Sequence, residues 1–197
     1  MKKLVMAVVV LSGGAALFAG EFKAGFSRND ITPPLGVYMP GYFKARHAKS
    51  VLDPLQVNCV AFSDGAKTAL VMQIDTVSLS DGTADSMRDA VVKATGVDRD
   101  AILLHASHTH DGGLLRDSNG EPLTDLYIKM ATSRVADAAV EAIRDLRPAR
   151  LSYQRSHARR ISFGRRYKMK DGKVRTNPGT NNPDIVGPAG NPPDEEV

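Results

Sequence analysis

The sequence predicts an α/β fold, a layered sheet with parallel strands and helices packed on it. Two observations carry this. Through the middle of the chain, short apolar runs alternate with longer segments of helical period in the order strand, helix, strand, helix, strand, the pattern of an α/β layer with parallel neighbours. Residues that cap, turn or stop such elements stand at the junctions. The composition agrees, with 42% hydrophobic and 24% charged residues as in an ordinary globular domain.

Taken in order, residues 22–30 are short and alternating, and the turn-rich Asp30-Ile-Thr-Pro-Pro-Leu-Gly36 breaks them off. Tyr38-Met-Pro-Gly-Tyr42 reads as a loop whose backbone comes close to something at Gly41. Residues 57–62 read as a strand, followed by a hairpin-like turn at Ser63-Asp64-Gly65. Residues 68–74 form a near-continuous apolar strand, as expected when both faces are covered. A helix follows, capped by Ser80 or Asp81 and ended by Gly96, with Met87, Ala90, Val91 and Ala94 on one face. Residues 101–106 are another apolar strand, in which His105 reads as a packed core residue. A long helix covers about 123–146, with Leu126, Met130, Val135, Ala138, Ala139, Ala142 and Ile143 on its buried side and Pro148 stopping it. Residues 151–156 suggest a further strand. Beyond Arg165 periodicity fades, residues 177–193 are rich in Pro, Gly and Asn, and the last residues offer no closing element, the texture of a chain cut within its fold.

The N-terminus has the three-part layout of a secretory signal: Lys2 and Lys3, an apolar run over 4–11, then small residues to Ala19 and Gly20. Ser12, Gly13 and Gly14 interrupt the run, which is too short to span a bilayer. Residues 1–20 are therefore expected to be removed and the remainder secreted or periplasmic, although Leu17 fits the cleavage pattern poorly. Two of the four net positive charges leave with that segment. The remaining excess lies mainly between Arg144 and Arg175, on no recognisable nucleic-acid module, so nucleic acid is not an expected partner. Cys59 is the single cysteine, so an internal disulfide is excluded; its apolar run suits a buried, inert thiol, and no cysteine follows the signal to take a lipid.

The chemistry concentrates after the strand at 101–106. Three of the five histidines (the others are His47 and His157) fall at His105, His108 and His110. In open α/β sheets ligands gather at the carboxyl ends of strands. If the backbone stays extended there, His108 and His110 aim two imidazoles at one point. Neutral imidazole is a ligand for zinc and similar ions; residues of this kind also occur simply as hydrogen-bonded loop histidines. Asp111 offers a third oxygen ligand or a partner that fixes a histidine tautomer. Gly112 and Gly113 permit close backbone approach. Asp75, ending the strand at 68–74, sits at the same expected edge, either beside the histidines or as a helix-entry carboxylate. Arg165 and Arg166 supply guanidinium forks for an anionic or carbonyl oxygen, or simply a solvated basic face. Two other histidine-based metallohydrolase patterns fit worse. The metallo-β-lactamase type requires a further Asp-His pair where Asp111 is followed by Gly112, and the barrel amidohydrolases place their histidine pair on a first strand.

Several short motifs, in order, carry a resemblance: Phe26-Ser-Arg-Asn-Asp-Ile-Thr-Pro-Pro34, Met39-Pro-Gly-Tyr42, Gln73-Ile-Asp75, Ala106-Ser-His-Thr-His-Asp-Gly-Gly113, and the Pro- and Asn-rich stretch from Asn177 to Gly190 with Pro193-Asp-Glu-Glu-Val197 after it. Together they resemble the N-terminal catalytic region of the neutral/alkaline (non-lysosomal) ceramidase family, over essentially all of 21–197. The resemblance implies an incomplete catalytic domain and a zinc-activated water that hydrolyses an amide such as that of ceramide. It implies that His108 is a zinc ligand, His110 the neighbouring active-site histidine toward water or substrate, and Arg165 an active-site arginine. The family's remaining ligands, a further His, a Glu and a Tyr, are expected beyond Val197, so the chain alone is expected to be inactive. Asp111-Gly-Gly-Leu-Leu115 departs from the family's usual Ser-Gly-Pro-Gly-Gly and leaves the substrate open. A lipid substrate implies peripheral membrane contact, yet no basic amphipathic helix stands out. The competing readings are an exported binding or accessory protein that keeps the fold without catalysis, and a metal-dependent esterase or phosphoesterase.

Overall fold

A computed structural model of the chain describes residues 21–116, 118, 120–159, 161–192 and 194–196. The expected signal at 1–20 lies outside the described residues. Two compact units are formed, the first ending at Arg150 and the second starting at Leu151.

The first unit holds strands β1 (Lys23–Asp30), β2 (Tyr38–Met39), β3 (Arg46–His47), β4 (Gln56–Ser63) and β5 (Thr68–Ile74), helix α1 (Asp81–Thr95), β6 (Ile102–Ala106), helix α2 (Pro122–Arg144) and β7 (Arg147–Pro148). The sheet order is β6-β5-β4-β1-β7, with β2 and β3 forming a separate hairpin. The α/β class expected from the sequence holds, with one correction. Only β5 and β6, joined through α1, run parallel; β1–β4, β4–β5 and β1–β7 are antiparallel. The reason is local. Asp64 accepts the backbone N–H groups of Ala66 and Lys67 at 2.9 and 2.7 Å, a tight turn that returns β5 directly beside β4.

Core side chains alternate along the strands. Val57, Cys59 and Ala61 of β4 and Leu70, Met72 and Ile74 of β5 are buried with Met87 and Val91 of α1 and Ala131, Val135, Ala138, Ala139 and Ala142 of α2. Fully burying residues such as Leu70 or Ile74 stabilises by about 1.5–3 kcal/mol each. Burial also holds the Cys59 thiol in its neutral form, pushed up to about 12. On β1 small residues face α2. Ser27 donates its hydroxyl to the Ala138 carbonyl at 2.7 Å, and a Cβ on Gly25 would lie 2.8 Å from the Leu146 nitrogen and collide with the Ala142 carbonyl. The helix thus rests directly on the strand backbone.

Both helices share this one core, so the strands are not covered on both faces as the apolar run at 68–74 suggested. Val71 is half-buried and Ala69 exposed. For the same reason His105 is exposed rather than packed: it follows Leu103, 56% exposed, on the uncovered face of β6. In α2 the buried stripe runs through Thr124, Tyr127 and Ala131, not through Leu126, which is 59% exposed. Ala94 of α1 is exposed as well. The α1 caps are as expected: Ser80 accepts from the Thr83 N–H, and Gly96 adopts the left-handed conformation at φ 71°. Residues 151–156 form no strand; the chain instead pairs earlier, at β7, with the start of β1.

The second unit contains β8 (Arg166–Met169), β9 (Val174–Thr176) and β10 (Ile185–Pro188) in the antiparallel order β10-β8-β9. Periodicity did not announce this sheet, because most of its strand residues are exposed or half-buried and Met169 is the one buried residue among them.

Candidate functional site

The parallel pairing of β5 and β6 ends with the Ser107 N–H donating to the Ile74 carbonyl at 3.0 Å. The chain then turns sharply. His108 adopts φ 63°, a left-handed conformation seldom taken by a residue with a side chain. The extended backbone expected at 108–110 is therefore not formed, yet the two imidazoles still meet, with ring centres 5.0 Å apart and planes at 78°. Two imidazoles on one tetrahedral ion, each ~2.0–2.1 Å from it through nitrogen, would place their ring centres roughly 5 Å apart.

Each ring is anchored through Nδ1. His108 Nδ1 lies 2.7 Å from the Val77 carbonyl oxygen and His110 Nδ1 2.8 Å from that of Gly41. A carbonyl only accepts, so each Nδ1 is the N–H donor. In the neutral ring the lone pair is then on Nε2, and a backbone carbonyl holding Nδ1–H is a common support for a metal-ligating histidine. The tautomer-fixing role considered for Asp111 thus belongs to these carbonyls.

The Gly41 contact makes good the close approach expected there. A Cβ at Gly41 would fall 2.6 Å from His110 Nδ1, and φ is +102°. The adjoining Tyr42 ring meets His110 edge-on, 5.6 Å between centres. Arg46, a residue the sequence did not single out, stacks 3.8 Å above Tyr42. It also donates to the Asp111 carboxylate at 3.1 Å and to the His110 carbonyl.

Gly112 and Gly113 are both buried. A Cβ on Gly113 would lie 2.5 Å from the Tyr127 ring, and one on Gly112 would lie 3.1 Å from the Asp75 carbonyl. The glycines let residues 107–115 settle between the β2–β3 hairpin and the end of β5, where the Leu114 N–H donates to Tyr38. Beneath them Tyr127 is fully buried, and its hydroxyl finds no partner among the described residues. Burial drives that hydroxyl's pKa far up, with the Asp75 and Asp30 carboxylates adding to the effect.

Asp75 does reach the same sheet end, but its oxygens accept from the Gln56 N–H and the Gln73 amide, each at 3.0 Å, tying β4 to β5. His47 pairs edge-on with Tyr38. A cavity of about 840 Å³ opens alongside, lined by Thr32, Met39, Arg46, Leu55, Thr109 and Asp111 among others, while neither His108 nor His110 lines it. Arg165 belongs to the second unit; it is exposed, directly precedes β8, and accepts the Asn177 N–H at 2.9 Å through its carbonyl. Arg166 begins β8 and is also exposed, and His157 bridges to Glu196 in the same unit. The structure thus brings the His108 and His110 imidazoles together, turns the Asp111 carboxylate to Arg46 instead of making it a third ligand, and places Arg165 in the other unit. Among the described residues no group of three or more His, Cys, Asp and Glu side chains is arranged to hold a metal.

No family model matches the chain, and no curated protein sequence does. Solved structures do. Neutral ceramidase from Pseudomonas aeruginosa superimposes with a TM-score of 0.65 at 17% identity, over 74% of this chain and 25% of that one. A ceramidase complexed with C2 gives 0.62 at 19%, over 74% and 24%. The fold is that of a part of these enzymes, and the chain spans about a quarter of their length.

Proposed function

We propose that this chain forms the N-terminal part of the catalytic domain of a zinc-dependent, ceramidase-like hydrolase that cleaves an acyl amide such as an N-acylsphingosine. One observation carries the reading. On a fold shared with ceramidases, two adjacent imidazoles leave the end of β6 with both Nδ1 atoms held by backbone carbonyls, which puts the lone pair of each neutral ring on Nε2.

In this reading His108 is a metal ligand, His110 contacts the attacking water or the substrate amide, and Arg165 holds an anionic or carbonyl oxygen. Zinc, when bound, lowers the pKa of its water to ~7 and polarises the carbonyl. The donors present fit a share of such a site, since catalytic zinc usually takes three protein ligands and no three-donor group occurs among the described residues. The remaining ligands are placed outside these 197 residues, and the chain alone is expected to be inactive. The Gly41 carbonyl keeps His110 as the Nδ1–H tautomer, so its Nε2 can accept a proton from water or hydrogen-bond the substrate. A lipid amide substrate implies contact with a membrane surface; no helix among the described residues is long and apolar enough to cross one. The layout of residues 1–20 supports a secreted or periplasmic location.

Among the described residues no third donor joins the two histidines, which favours a second reading, an exported binding or accessory protein that retains the fold without catalysis. The full polypeptide carrying these residues distinguishes the two when assayed on N-acylsphingosine, simple acyl amides and the matching esters and phosphoesters. Amide cleavage is expected, falling by about 100-fold or more in His110→Ala. Turnover of esters alone would overturn the amide assignment, and none on any substrate would favour the accessory protein.

A further inference from the structure

The β2–β3 hairpin contacts His110 through its tip. There the Gly41 carbonyl takes the Nδ1–H and the Tyr42 ring meets the imidazole at 87°. Both contacts depend on where the tip lies, and the strand leaving it carries Arg46. One Arg46 nitrogen, Nη1, donates to the Asp111 carboxylate at 3.1 Å, and Nη2 donates to the His110 carbonyl. The flat face of the same guanidinium stacks on Tyr42. A single side chain therefore holds the backbone of His110 on one side and the ring packed against its imidazole on the other. Arg46 Nε is buried without a partner among the described residues, a desolvation cost accepted to keep this fork in place.

We propose that Arg46 is a positioning residue for His110, locking the hairpin over residues 110–111 and so fixing His110 as the Nδ1–H tautomer. The proposal rests on the hydrolase reading for its functional meaning, while its physical content is the tautomer. Arginine is required because two acceptors and an aromatic face are engaged together; a lysine ammonium is a point charge that reaches one acceptor and stacks poorly.

The test uses the full chain labelled with ¹⁵N-histidine, without added metal, at a pH where the imidazoles are neutral. Long-range ¹⁵N–¹H correlations report the tautomer of each ring. Wild type is expected to show His110 protonated on Nδ1. In Arg46→Ala the Nδ1–H population of His110 is expected to fall at least about threefold, with Arg46→Lys in between. His108, anchored on Val77, is the internal control and should not change. Should Arg46→Ala fail to fold, Asp111→Ala and Tyr42→Leu each remove one of the linked contacts and should move the tautomer in the same direction. A folded Arg46→Ala with wild-type tautomer, or Arg46→Lys indistinguishable from wild type, would overturn the proposal. Because no metal or turnover is involved, the hydrolase reading can fail while this holds, and the reverse.

Discussion

Replacing Gly41 by alanine tests whether the hairpin tip truly sits against His110. Two costs follow from the geometry. Gly41 has φ +102°, and a side chain in such a conformation costs about 1–2 kcal/mol. The new methyl would also fall 2.6 Å from His110 Nδ1 and 2.8 Å from Cγ, so the ring must move and lose its bond to the Gly41 carbonyl. That loss adds about 1 kcal/mol. A total of about 2–3 kcal/mol lowers Tm by about 4–12 °C in a chain of this size. Gly96→Ala is the matched control, because φ is +71° there and a Cβ meets nothing within 4 Å, leaving strain without collision. Melting followed by circular dichroism should show Gly41→Ala below Gly96→Ala, and only Gly41→Ala should disturb the His110 ¹⁵N signals. Equal melting points together with an unchanged His110 spectrum would refute the argument.

Two further outcomes probe the scaffold. Gly25→Ala should destabilise by about 1–3 kcal/mol or more, because its methyl meets the backbone of residues 142–146, which cannot rotate aside as a side chain would; an unchanged urea midpoint would contradict the close seating of α2 on β1. Asp30 accepts the Thr32 N–H at 2.6 Å, and its hydrogen bonds to the Thr32 side chain and backbone hold its carboxyl below the usual range. Since that pKa is depressed on folding, the stabilisation is present above the ordinary carboxylate value and lost as pH falls through the folded one. The stability gap between wild type and Asp30→Asn should therefore narrow as pH drops below about 4, and a gap independent of pH would contradict it.

What the sequence revealed followed from local rules. Ser80 and Gly96 bounded α1 because a cap and a left-handed terminus are properties of single residues. The strands read at 57–62 and 68–74 were legible from apolar runs, as was the hairpin-like turn at Asp64 between them. Pairing order and covered faces were not legible in the same way. The apolar run Thr68–Ile74 satisfies one buried face as well as two, so the exposure of His105 and Leu103 depended on where both helices packed. In α2, Leu126 and Tyr127 are adjacent and a small rotation of the helix decides which is buried; the close seat over Gly25 and Gly113 selected Tyr127. At the site, the meeting of His108 and His110 and the approach at Gly41 were readable. Arg46 was not, because its partners lie 64 and 65 residues away along the chain. The left-handed turn at His108 is likewise imposed by tertiary contacts, with no glycine to signal it.

In the proposed function His108 and His110 share one zinc centre, His108 as a ligand and His110 beside it. Titrating Zn²⁺ into the ¹⁵N-histidine-labelled full polypeptide that carries these residues, and into its His108→Ala variant, is the direct test. The His108 Nε2 resonance is expected to shift with added zinc, the His110 signals to respond with it, and both responses to disappear in His108→Ala. Equal zinc binding by the two proteins, or imidazole signals in wild type that ignore the metal, would contradict it.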